Sequence, residues 1–111
     1  MSNYFRGDIV IVPFPFTDLS ESKNRPAIVI SNSKVNKKPD VVLAQITSNV
    51  QHDEFSFELK DADVTYSLEG YSEVRCHKIF TASKDIIKKK ISSLKSTKQV
   101  ELFNQITSLL S

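Results

Sequence analysis

Glycine is scarce in this chain of 111 residues: Gly7 and Gly70 are the only two. A loop that cradles phosphates needs several glycines where backbone must approach the ligand closely, so a Gly-rich nucleotide site is excluded. Cysteine is scarcer still. Cys76 alone cannot form an internal disulfide, which fits a reducing cytoplasm. One cysteine and two histidines in separate segments give no structural zinc set, and the acids form no evident metal cluster. No metal or cofactor site is therefore read from the residues themselves. The Gly-x-Ser-x-Gly elbow of serine hydrolases is missing. Long apolar runs are missing too. The longest, Ile9 to Phe16, has eight residues broken by Pro13 and Pro15, whereas a membrane-spanning helix needs about 20. No small-residue cleavage site follows it, so no signal peptide is expected.

What is present is the composition of one ordinary domain over residues 1–111, with 40% apolar and 25% charged residues. A chain this short buries only about two-thirds of its unfolded surface, so pairing with a second copy is a natural way to cover more. The net charge is only +2, but it is unevenly placed. From Asp53 to Glu73 seven acids stand against Lys60; from Arg75 to Lys98 eight bases stand against Asp85. One face could thus meet a polyanion, although surface lysines also serve solubility.

The pattern is one of short strands and a closing helix. Ile9-Val10-Ile11-Val12 is β-branched and stopped by Pro13; prolines 13 and 15 place Pro13 to Phe16 at a sheet edge or in an extended loop. Thr17 to Asn24 is polar and reads as a long mobile loop beside Arg25. Arg25 to Ser31 and Val41 to Thr47 read as strands, with a lysine-rich loop from Asn32 to Asp40 between them. Phe55 to Leu59 alternates as a half-buried strand, Val74 to Phe80 is another, and Lys88 to Leu94 the last. Ser96 and Gln99 have capping-box spacing. Behind them Leu102, Phe103, Ile106, Leu109 and Leu110 form one helical apolar face. The expected architecture is mostly β, a small antiparallel barrel with a C-terminal α-helix packed on it.

Five polar positions on these strands and their ends carry chemical interest. Arg25 opens a hydrophobic strand, where its guanidinium could grip a phosphate with two parallel hydrogen bonds or its stem could simply cover the barrel rim. Thr47 and Ser48 end a buried strand and offer hydroxyl and backbone donors, or ordinary turn chemistry. Arg75 and His77, two apart on one strand, leave the same face roughly 6.6 Å from one another. A phosphate could lie between a fixed cation and a proton-exchanging imidazole; a solvated strand face is the plain alternative. Cys76 then points inward.

Taken in order, Gly7-Asp8-Ile9-Val10-Ile11-Val12, Phe14-Pro15-Phe16-Thr17-Asp18, Arg25-Pro26-Ala27-Ile28-Val29-Ile30-Ser31, Val42-Leu43-Ala44-Gln45-Ile46-Thr47-Ser48 and Val74-Arg75-Cys76 resemble the PemK/MazF family of type II toxins. The resemblance runs from Gly7 to the C-terminal helix. It implies an SH3-like barrel of the PemK/MazF/CcdB kind, assembled as a homodimer. It also implies a metal-independent, sequence-specific endoribonuclease that cuts single-stranded RNA (an mRNA interferase), leaving 2′,3′-cyclic phosphate and 5′-hydroxyl ends and inhibiting translation and growth. A cognate antitoxin would bind across the dimer and block the RNA site.

By the same resemblance Arg25 matches an arginine at the scissile phosphate, Thr47 a residue that stabilises the transition state, and Arg75 a second arginine, the proposed acid or phosphate clamp of the Kid/PemK branch. That branch has an aspartate base where this chain has His77, which makes the imidazole the expected proton carrier. Thr17, Lys23, Ser48, Gln51 and Lys78 are expected to line the RNA. A family glycine is also missing at Ile91-Ser92-Ser93, which touches local backbone shape. Two other functions fit the same fold: a non-catalytic binding toxin of the gyrase-poison type, and an RNA-binding barrel that leaves its ligand intact. The dimer is the most general of these expectations. Sedimentation at micromolar concentration should give twice the 12.6 kDa chain mass; a 12.6 kDa species would contradict it.

Overall fold

The computed structural model describes residues 3–14 and 23–111. Six strands form one antiparallel sheet: β1 (Asp8–Phe14), β2 (Lys23–Val29), β3 (Asp40–Thr47), β4 (Ser56–Glu58), β5 (Glu73–Ser83) and β6 (Lys89–Ser93), in the spatial order β4-β5-β3-β2-β1-β6. Two helices accompany them, α1 (Ser33–Asn36) and α2 (Ser96–Leu110). The sheet curls into a half-barrel with β4 and β6 at its margins. An isolated bridge between Val64 and Leu94 draws those margins together, so the expected closed barrel is completed by a loop segment and not by a full ladder.

Period-two alternation divides the core between the two faces of the sheet. Ile9, Ile28, Ala44, Ile46, Val74 and Cys76 point to one face, where Leu102 and Ile106 of α2 cover them. Val10, Val12, Ala27, Val29, Val41 and Leu43 point to the other. Cys76 is completely buried, as its place between Arg75 and His77 requires, and burial pushes its thiol up to about 11. Gln105 of α2 donates through Nε2 to the Ser56 carbonyl (2.8 Å), which ties the helix to the β4 margin. Gly7 sits at φ +96°, and a Cβ there would lie 2.4 Å from the Gln99 amide, so the α2 amino end packs on bare backbone.

Several local expectations are corrected. β1 runs through Pro13 to Phe14 because β6 pairs only with Asp8 to Ile11; among the described residues Pro13 has no strand neighbour on that side to miss its N–H. Pro26 is tolerated similarly, since β2 pairs with β3 only from Ala27 to Val29. Lys23 and Asn24 belong to β2 and not to a loop, while 17–22, and with them the expected mobility and Thr17, lie outside the described residues. The lysine-rich segment after β2 contains α1, started by the Asn32 side chain accepting from the Lys34 N–H at 3.0 Å. The Ser96/Gln99 capping box does not form. Lys95 is the N-cap residue, and Gln99 instead donates to the Leu94 carbonyl (2.7 Å). β5 is three residues longer at its end than its apolar stretch suggested, because Thr81 to Ser83 continue the ladder with β3. Around the missing family glycine the β1–β6 register skips Ile91, a bulge made without one.

Candidate active site

The site grows out of an irregularity in the β3–β5 ladder. Ala44 pairs with Ile79 and Gln45 with Arg75, so Cys76, His77 and Lys78 have no partner on β3. Such a bulge re-aims side chains. His77 and Lys78 emerge exposed, and with Gln45, Thr47, Gln51 and Arg75 they line an open cleft of about 400 Å³. Phe55 packs against the imidazole of His77 with ring centroids 4.2 Å apart and planes 30° from parallel, which restrains its orientation.

Thr47 ends β3 opposite Glu73. Its Oγ1 accepts the Asn49 N–H at 3.0 Å, which uses acceptor capacity and leaves the hydroxyl proton available to donate into the cleft. Ser48 follows, exposed. Arg25 and Thr47 each lie two residues beyond the last β2–β3 pair, Ala27 and Gln45, at the same end of the sheet. Directly paired residues share a face, so Arg25 leaves β2 on the side from which Thr47 leaves β3. Arg25 is half-buried and forms no ion pair among the described residues. Lys23, two residues before it, is exposed at the start of β2.

Arg75 departs furthest from expectation. It is not a free cation on a strand face but is 7% exposed and held by two carboxylates. Nη1 donates to Glu73 Oε2 at 2.7 Å and to Asp53 Oδ1 at 3.0 Å; Nη2 donates to Asp53 Oδ2 at 3.0 Å. Ser56 Oγ accepts from Nη1 as well (3.0 Å). An arginine buried to this degree must be neutralised, and Glu73 is only 1% exposed itself. The Glu73 carboxylate also accepts the N–H of Gln51 (3.1 Å) and of His52 (3.2 Å). It therefore pins the 49–53 loop to β5, with His52 in the left-handed region at φ +50°.

The network shifts every acid and base in it. Hydrogen bonds from Arg75 hold Asp53 well below the usual carboxylate range. Burial pushes Glu73 up, but the bonds from Arg75, His52 and Gln51 outweigh it, and its carboxyl also lies below the ordinary value. Asp53 and Glu73 keep Arg75 above the usual guanidinium value against the opposing effect of burial. His77 is lowered first by burial and then by the positive charges of Arg75 and Lys78, with Asp53 opposing, which favours the neutral imidazole.

Of the residues singled out in the sequence, the structure brings Thr47, Gln51, Arg75, His77 and Lys78 to one cleft, with Arg25 at the same end of the sheet. Glu73 and Asp53 were missed. They looked like two more members of an acidic run, and the one available signal was the period-two spacing of Glu73 and Arg75. No group of three or more histidine, cysteine, aspartate or glutamate side chains among the described residues is placed to hold a metal ion.

This fold belongs to a defined class. The family described as "PemK-like, MazF-like toxin of type II toxin-antitoxin system" matches residues 5–110, and the chain belongs to that family. A curated relative, the endoribonuclease MazF of Staphylococcus epidermidis, is 26% identical over 103 residues, covering 91% of this chain and 86% of the relative. A MazE–MazF crystal structure from Deinococcus radiodurans superposes with a TM-score of 0.79 at 18% identity, covering 98% and 97% of the two chains. A mycobacterial endoribonuclease in complex with its cognate antitoxin superposes with a TM-score of 0.76 at 16% identity, covering 96% and 92%.

Glu73→Ala should leave Arg75 with Asp53 as its one carboxylate partner and free two loop N–H groups, costing about 3–5 kcal/mol of stability in chemical denaturation. Because the folded-state value of Glu73 is depressed, its stabilisation is complete above the unfolded value and is lost as pH falls through the folded one. The parent should therefore lose stability from about pH 5 downward, and the variant should lose less over that range. Equal stability and equal acid sensitivity would remove the network from this role.

Proposed function

We propose that the chain is the toxin of a type II toxin–antitoxin pair and acts as a metal-independent endoribonuclease on single-stranded RNA. It works as a homodimer in the cytoplasm, and an antitoxin protein silences it. The observation that carries the reading is that an arginine without a carboxylate partner among the described residues, Arg25, and the donor hydroxyl of Thr47 share one end and one face of the sheet, where Thr47 lines a cleft with the His77 imidazole. Family membership supports the same activity. Among the described residues no helix is long and apolar enough to cross a membrane.

The chemistry asks little of the protein. The RNA 2′-oxygen attacks its own phosphorus, so proximity is built into the substrate. The bond to the departing 5′-oxygen then breaks. His77 takes the 2′-hydroxyl proton as general base, and the departing 5′-oxygen takes a proton from water in the open cleft. Arg25 and Thr47 stabilise the charge that builds on the phosphoryl oxygens, Arg25 as a fixed cation and Thr47 as a neutral donor. Arginine is a poor proton donor because its pKa exceeds about 12. Arg75 therefore contributes charge and placement, and its fork opens to phosphate only when Asp53 leaves it. Ser48, Gln51, Lys78, Lys23 and Thr17 carry the flanking nucleotides. A gyrase poison would need neither the Arg25–Thr47 pair nor the cleft-lining imidazole.

The test is incubation of a long single-stranded RNA with purified protein in EDTA, followed by analysis of the new ends. Cyclic phosphate and 5′-hydroxyl ends are expected. Arg25→Ala should slow cutting by about 10²–10³-fold, as for loss of one transition-state donor. His77→Ala should cost about 10²–10⁴-fold and abolish the acidic limb of the rate profile, which in the parent should lie below about pH 6.5. Exposed Lys37→Ala should match the parent. Intact RNA with the parent, or equal rates for Arg25→Ala and Lys37→Ala, would contradict the assignment.

A further inference from the structure

The two carboxylates on Arg75 are not equivalent. Glu73 is 1% exposed, and besides Arg75 it serves the backbone of Gln51 and His52, so it belongs to the fold. Asp53 stands on the exposed loop with its side chain 40% accessible. Both its oxygens accept from Arg75, at 3.0 Å to Nη1 and 3.0 Å to Nη2, the parallel two-point geometry that a phosphate also presents to a guanidinium. Asp53 has somewhere to go. It borders a second open cleft of about 560 Å³, lined also by Val50, His52, Ser56 and Glu58. With Asp53 in place the trio of side chains carries two negative charges against one positive, so an approaching phosphate is repelled.

We propose that Asp53 is a tethered anion seated on Arg75 that sets the selectivity of that seat, giving way to a phosphate of an RNA strand held elsewhere in the site and excluding a solitary phosphate. This rests on the ribonuclease reading. A tethered group competes at an effective concentration in the millimolar range, which a free anion must exceed, whereas a phosphate linked to a strand already bound at Arg25 is tethered too. Glu73 remains behind to hold Arg75 in place during the exchange.

Two probes test this without cleavage: a fully 2′-deoxy oligonucleotide, which lacks the attacking hydroxyl, and inorganic phosphate. Asp53→Asn, and Asp53→Ala as a second variant, should bind the oligonucleotide about 3- to 10-fold tighter than the parent at equal salt, the worth of one half-exposed charged pair. Millimolar phosphate should raise their melting temperature and leave that of the parent unchanged. Glu54→Gln removes an adjacent exposed acid of the same charge and should do neither. Equal or weaker oligonucleotide binding by folded Asp53 variants would make Asp53 a support for Arg75 and overturn the proposal, as would phosphate stabilising parent and variants alike. If the parent cuts ordinary RNA in EDTA while the Asp53 variants gain nothing, only this inference fails. If no variant cuts or binds RNA, the ribonuclease reading fails, and the phosphate measurement still decides the occupancy of the seat.

Discussion

An arginine cannot be buried against a sheet unless its charge is met, and this constraint on Arg75 organises the site. Glu73 meets it from two residues away on β5, and Asp53 meets it from the loop before β4. The bonds from Glu73 to the Gln51 and His52 backbone then fix the course of the loop that lines the cleft. Removing Glu73 costs more than its pair with Arg75 contributes, because it takes away the buried carboxylate of a buried guanidinium. The 49–53 loop, the β5 strand and the wall of the cleft thus stand or fall together.

The division of labour between the two strand arginines follows. Arg75 is neutralised within the fold, while Arg25 has no ion-pair partner among the described residues and shares a sheet end with Thr47. Near-identical side chains at period-two positions of buried strands therefore have different chemical availability. The bulge opposite Gln45 adds the third element, turning His77 and Lys78 outward just past the inward Cys76. The fold places the groups, but their ion pairs decide which are ready to act.

Much of the fold was legible from alternation and punctuation. The six strands, the inward Cys76 and the packing of Leu102, Ile106 and Leu109 on the sheet follow from period two, period 3.6 and the prolines, whereas Phe103 and Leu110, expected on the same helical face, stand exposed. What escaped had local causes. The capping box failed because Gln99 finds the Leu94 carbonyl over bare Gly7, a tertiary contact that spacing cannot reveal. α1 was missed because four residues are too few for a period, and its Asn32 cap lay inside a lysine-rich stretch. In the site, the separation of Arg75 and His77 was read as an ideal strand, whereas the bulge belongs to pairing with β3. The role of Glu73 required knowing that Arg75 is buried. Charge counting placed Asp53 and Glu73 in an acidic surface run, and only the register of β3, β4 and β5 brings them to one guanidinium.

The most direct test of the central claim is the nitrogen-detected magnetic resonance spectrum of the Arg75 guanidinium in the free protein at neutral pH. With Glu73 and Asp53 both bonded to it, rotation about its terminal C–N bonds is slowed, and Nη1 and Nη2 should give separate, slowly exchanging signals. A single averaged, rapidly exchanging signal in the parent would show that Arg75 is an open cation, and the account of the site given above would be wrong.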